Sequence, residues 1–67
     1  MDDIEVYDEV DANSLVAGDQ IVWKGEYITL THVEDVIEYI MIQWNDDGIP
    51  REDEIDPFDR VSLWGYA

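Results

Sequence analysis

The chain has no cysteine, which removes both a disulfide framework and a thiolate metal site as sources of stability. Basic residues are almost as scarce. Three Lys and Arg stand against 18 Asp and Glu, for a formal net charge of −15. A surface of that sign repels nucleic acid and anionic lipid and attracts basic partners, so direct nucleic-acid or membrane binding is not expected. One histidine, His32, leaves little material for proton transfer near neutral pH. No apolar run approaches the roughly 20 residues of a membrane-spanning helix. The opening MDDIEVYDEVD is acidic where a secretory leader is basic and then apolar, which makes the cytoplasm the expected location.

What is present is enough to fold. At 67 residues the chain is one domain near the lower size limit for independent folding. Its 46% apolar and 12% aromatic content separates it from acidic disordered tails. A core of this size contributes only a few kcal/mol of net stability. Self-repulsion works against that margin, so the fold should respond to salt.

Short strands and turns dominate the pattern. In residues 1–11, Ile4 and Val6 share one face of an extended segment crowded with acids, which gives an acidic arm or edge strand. Asn13 to Ala17 reads as a short turn or one helical turn, with Asp11 or Asn13 as its cap. Gln20–Trp23 and Tyr27–Val33 form a hairpin over Lys24-Gly25-Glu26, and His32 falls in phase with Ile28 and Leu30. Glu34–Ile37 reads as a loop. In Glu38–Trp44, Ile40, Ile42 and Trp44 oppose Tyr39, Met41 and Gln43. Asn45-Asp46-Asp47-Gly48 is the strongest turn signal. Pro50 confines the segment from Ile49 to an edge, Arg51–Asp59 reads as an acidic loop, and Val61–Trp64 is the last strand. The expectation is an all-β fold: a small five- to six-stranded barrel or roll over residues 12–67, with the acidic arm or edge strand at 1–11.

The segment SLVAGDQIVWKGEYITLTHVE, followed by a hydrophobic strand, a DDG turn and DRVSLWG, resembles SH3-like small barrels of the Tudor and KOW type. Short acidic phage proteins have a similar look. The resemblance covers residues 14–64 and implies the fold alone. The paired tryptophans and the Pro-Ser-Asn-Tyr segment of peptide-binding SH3 grooves are absent, so no functional residue is carried over.

Several chemistries can be weighed on the residues. His32 beside Glu34 or Asp35 could serve as a general base, but such a residue is more often a hydrogen-bonded strand side chain. Ser14 and Ser62 lack a nucleophile context, and so short a chain leaves little room for a substrate pocket. No catalytic residue is assigned. Asp46-Asp47-Gly48 lacks the ligand spacing of a calcium loop, so no metal or cofactor is expected. Trp23, Tyr27 and Trp44 could form an aromatic cage for a methylated side chain. Their ordinary role in a small barrel is packing. Trp64 and Tyr66 share a strand face near the chain end and are the candidates for an exposed contact.

The charge is the remaining signal. A 67-residue domain is about 28 Å across, and duplex DNA carries about 16 phosphate charges over that length. The expected function is a non-enzymatic, DNA-mimic-type inhibitor that occupies the basic surface of a nucleic-acid-binding protein. A phage-encoded origin, acting in the host cytoplasm, suits the size and charge. The candidate contacts are Asp2, Asp3, Glu5, Asp8, Glu9 and Asp11 in the arm, and Asp46, Asp47, Glu52, Asp53, Glu54, Asp56 and Asp59 in the loops, with Trp64 as an apolar anchor. Adaptation to high salt, or solubility alone, would produce the same composition. A structural or assembly module pairing through sheet edges is the competing function.

Overall fold

The computed structural model describes residues 3–66. Six strands account for most of them: β1 (Ile4–Asp11), β2 (Gln20–Trp23), β3 (Glu26–Val36), β4 (Tyr39–Asp46), β5 (Ile49–Ile55) and β6 (Arg60–Tyr66). All pairings are antiparallel, in a single sheet of order β1-β6-β2-β3-β4-β5. Among the described residues the helical content is one short 3₁₀ turn, Ala12–Ser14, between β1 and β2.

With no long helix to cover it, the sheet buries its apolar face by curling over itself. Ile21 from β2, Leu30 from β3, Ile40 and Ile42 from β4 and Ile55 from β5 are the largest fully buried side chains, and they belong to one cluster. Ala12 and Leu15 plug the cluster beside the 3₁₀ turn, which is anchored by a 2.8 Å bond from Ala12 N–H to the Asp59 carbonyl.

The curl has a visible cause in β3. Residues 26–29 pair with β2, and residues 30–36 pair with β4. Just inside the second stretch, at Leu30/His32, the register slips by a residue. Such a bulge bends a strand and increases its twist, so one strand can serve both halves of the sheet. The curl brings β5 back against β2. Trp23 Nε1 donates to Asp53 Oδ2 at 2.9 Å, and Lys24 Nζ lies 2.8 Å from the same oxygen. Side chains bridge these two strands, which are not ladder neighbours.

Turn chemistry fixes the hairpins. Lys24-Gly25 has φ of 50° and 82°, and Asp47-Gly48 has 55° and 83°. Two consecutive positive φ values match the right-handed twist of the flanking strands, and glycine takes the second without a Cβ clash.

The sequence expectation needs four corrections. Segment 51–55 is strand rather than loop. Arg51, Asp53 and Ile55 lie opposite Trp44, Ile42 and Ile40, while Glu52 and Glu54 alternate outward. Segment 34–36 continues β3, and only Ile37 and Glu38 form the turn. The bulge breaks the phase of β3, so Val33 faces Ile42 and His32 is exposed instead of sharing the side of Ile28 and Leu30. Finally, β6 runs to Tyr66, two residues beyond its expected end. The residues at 4–11 form an edge strand paired to β6, with a register shift at Tyr7.

Candidate partner-binding surface

Among the described residues every Asp and Glu is exposed except Asp19 and Asp53, which are half-buried. This follows from the pattern, because acids alternate with inward apolar residues or occupy turns. The basic side chains are drawn into this acidic surface. Lys24 pairs with Asp53, and Arg51 lies 3.5 Å from Asp46. Arg60 lies 3.2 Å from Glu9 and 3.8 Å from Asp11. Within the described residues no basic side chain reaches ion-pair distance of Glu5, Asp8, Asp47, Glu52, Glu54, Asp56 or Asp59.

The candidate contacts fall into separate groups. Glu5, Asp8, Glu9 and Asp11 lie along β1, at one end of the strand order. Asp3 immediately precedes that strand, and Asp2 lies outside the described residues. Glu52, Asp53 and Glu54 lie on β5, at the other end of the order. Both sheet edges are therefore acidic. Asp59 joins the β1 group, since β6 begins beside Asp11 and the Asp59 carbonyl holds Ala12. Asp56 has a structural task as well, accepting from Phe58 N–H at 2.9 Å to shape the turn before β6.

Asp53 differs electrostatically from the other acids. The Lys24 ammonium, then the Glu54 backbone N–H, then the Trp23 indole stabilise its charged form and lower its pKa from 3.8 to about 2. This carboxylate is committed to the β2–β5 bridge. Of the described acids expected to contact a partner, it is the one that is half-buried.

The expectation of an exposed Trp64 is also corrected. Its side chain is only 5% accessible, and Nε1 donates to the carbonyls of Ile21 at 3.0 Å and Ile28 at 3.2 Å. Burial is the usual fate of so large an apolar group, and the two carbonyls satisfy its polar handle. Tyr66 remains exposed, as do Tyr27, Ile4, Val6 and Tyr7.

Trp64 forms the floor of an open cleft of about 460 Å3 between the start of β3, the β4–β5 turn and the end of β6. Tyr27, Trp44 and Tyr66 supply its other aromatic walls, and Glu26, Asp46 and Asp47 its carboxylates. A cavity of this size was not expected from so short a chain. Trp23 lies apart from it, under Lys24 at 5.5 Å and bonded to Asp53. The cage considered from Trp23, Tyr27 and Trp44 is thus not the set that lines the cleft. Tyr66, a candidate for an exposed contact from sequence, is both exposed and part of the lining, whereas Glu26 was not singled out although it flanks a strong strand signal. His32 lies outside the cleft, with Nε2 3.9 Å from Glu34 Oε1 on an exposed surface. No family model matches the chain, and no curated protein or solved structure matches it.

Proposed function

We propose that this chain is a non-enzymatic acidic binding protein that occupies the basic surface of a nucleic-acid-binding protein and keeps nucleic acid from it. In this reading the curled sheet is a small barrel of the SH3-like kind, used as a rigid frame for carboxylates. The observation that carries it is the arrangement of charge: acids exposed along both sheet edges, with the basic side chains consumed in pairs among them. The body measures 40 × 27 × 18 Å. Duplex DNA carries about 24 charges over 40 Å, so a net −15 amounts to roughly six-tenths of the duplex density. That is enough to steer association with a basic groove and to make it strongly dependent on salt.

The test is capture of partners from the host lysate at about 0.1 M and about 1 M salt, where the Debye length falls from roughly 10 to 3 Å. Glu52→Gln/Glu54→Gln and Glu5→Gln/Asp8→Asn variants run in parallel. A basic nucleic-acid-binding protein, retained at low salt, released by duplex DNA and weakened in the variants, supports the proposal. Retention that ignores salt, DNA and the variants refutes it.

A second reading is favoured by one observation. Ile4, Val6 and Tyr7 are 42%, 51% and 65% exposed on the edge strand β1, which would suit an assembly module. Its mark would be self-association that survives 1 M salt. Against it, the acids of β1 place like charges along the edge two copies would have to share.

A further inference from the structure

We propose that the cleft between β3, the β4–β5 turn and the end of β6 receives an arginine side chain from a basic partner segment. This rests on the reading above for the class of partner and adds a defined site to an otherwise diffuse electrostatic surface.

The aromatic floor is preorganised. The Trp64 ring meets Tyr27 edge-to-face, with centroids 5.7 Å apart and planes at 80°, and meets Tyr66 in the same manner at 5.3 Å and 89°. Its indole N–H is held by two backbone carbonyls. Trp64 is thereby fixed, while Tyr27 and Tyr66 remain 52% and 63% accessible. The rings open to a cation are those of Tyr27 and Tyr66, each braced edge-to-face against the buried Trp64, so they can take one with little further loss of side-chain freedom. The two exposed tyrosine rings are apolar surface that a covering side chain would remove from solvent.

The polar walls select the cation. Glu26 and Asp47 contribute carboxylates without a basic partner among the described residues, whereas Asp46 already faces Arg51. Asp47 is held by the turn, where it takes φ of 55°. Thr29, Thr31 and Asn45 are the other polar residues of the lining, the Thr31 hydroxyl donating to the Gln43 carbonyl at 3.1 Å. These groups are acceptors spread over more than one wall. A guanidinium presents five N–H donors in a plane and can stack on an aromatic ring while reaching two walls. Lysine offers a compact, strongly hydrated ammonium with three donors. A trimethylated lysine has no donor, so filling the cleft with it would desolvate the carboxylates and hydroxyls without replacing their hydrogen bonds. The methylene stem of arginine would lie over the tyrosine rings. A partner that holds nucleic acid supplies arginine in quantity, because guanidinium groups are its phosphate ligands.

The test uses three synthetic peptides of one basic sequence, with Arg, Lys or trimethyl-Lys at a single central position and lysines elsewhere. Binding to the intact protein is followed by the indole N–H signal of Trp64 and by tyrosine ring signals in NMR. The Arg peptide should bind about tenfold more tightly than the Lys peptide, equivalent to roughly 1.4 kcal/mol, and should shift Trp64 and Tyr66. Tyr66→Ala and Glu26→Gln/Asp47→Asn should erase that preference, Asn being tolerated at the left-handed position 47. Glu52→Gln/Glu54→Gln removes the same charge from residues that do not line the cleft and should leave the preference intact. Equal binding of the Arg and Lys peptides overturns the proposal, as does tighter binding of the trimethyl-Lys peptide. An Arg preference that survives in Tyr66→Ala and Glu26→Gln/Asp47→Asn also overturns it. Arg preference in the cleft together with a DNA-indifferent partner in the lysate would sink the inhibitor reading alone. DNA-displaced capture without Arg preference would sink the cleft alone.

Discussion

Replacing Asp53 by Asn should destabilise the protein near neutral pH even though it removes one unit of an excessive negative charge. The carboxylate bridges β2 and β5 through Trp23 Nε1 and Lys24 Nζ, the contacts that hold the curled sheet where no backbone ladder does. Its pKa falls from 3.8 to about 2. At about 1.36 kcal/mol per pKa unit, that drop has a ceiling of about 2.5 kcal/mol. The Asp53 side chain is 31% exposed and that of Lys24 is 67% exposed, so solvent screening reduces the expected loss to about 1 kcal/mol. For a domain of this size that lowers Tm by about 4–8 °C. A depressed folded-state pKa gives stability that is complete above the unfolded value and is lost as pH falls through the folded one. The gap between parent and Asp53→Asn should therefore be full at pH 5–7 and close between pH 3.8 and about 2. Glu54→Gln is the control, since it removes the same charge from an outward position on the same strand and should be neutral or stabilising. Urea midpoints of the three proteins, taken at pH 7, 4, 3 and 2, decide the matter. Equal midpoints for Asp53→Asn and Glu54→Gln at pH 7 would refute the bridge, as would a gap that persists unchanged at pH 2.

Other consequences follow from the same frame. Ile42→Ala, at a side chain with no accessible surface, should cost about 2–5 kcal/mol. That is most of the stability of so small a domain, so near-UV circular dichroism should show loss of cooperative melting. Gly48→Ala forces an L side chain into φ of 83° and should lower stability by about 1–2 kcal/mol in thermal melts, although the space around it is open. Gly65→Ala, with ordinary φ and its nearest contact 3.5 Å away on Tyr7, should be tolerated. Raising salt from about 0.01 to 1 M shortens the Debye length from about 30 to 3 Å and should raise Tm. A flat or falling Tm would mean that repulsion among the acids is not what limits the fold.

Much of the architecture is legible in the sequence where side-chain period and turn chemistry agree. The alternation of Ile40, Ile42 and Trp44 matches β4, and Lys24-Gly25 and Asp47-Gly48 close hairpins as their glycines suggest. β5 is concealed because it is an edge strand. Only Ile55 is buried, so the inward set Arg51, Asp53 and Ile55 looks no more apolar than the outward one. Charge of this kind guards an edge against pairing, and it also erases the strand signal. His32 is misassigned in phase because a bulge leaves no mark in composition. The cleft is illegible for a different reason. Its walls come from β3, β4 with its following turn, and β6, and only the strand order brings Glu26, Asp47 and Tyr66 together. Trp64 illustrates the limit of reading aromatics by position: near the chain end it looked available, yet two carbonyls and two tyrosine rings enclose it.

The most direct measurement is competition on the captured partner. A fluorescent duplex of about 30 base pairs is bound to that partner, the acidic protein is titrated in, and anisotropy is read alongside sedimentation. Occupation of the basic surface predicts that anisotropy falls to that of free duplex while a two-protein complex appears, with the midpoint moving to higher concentration for Glu52→Gln/Glu54→Gln. A ternary complex that retains the duplex at saturating protein would contradict the account.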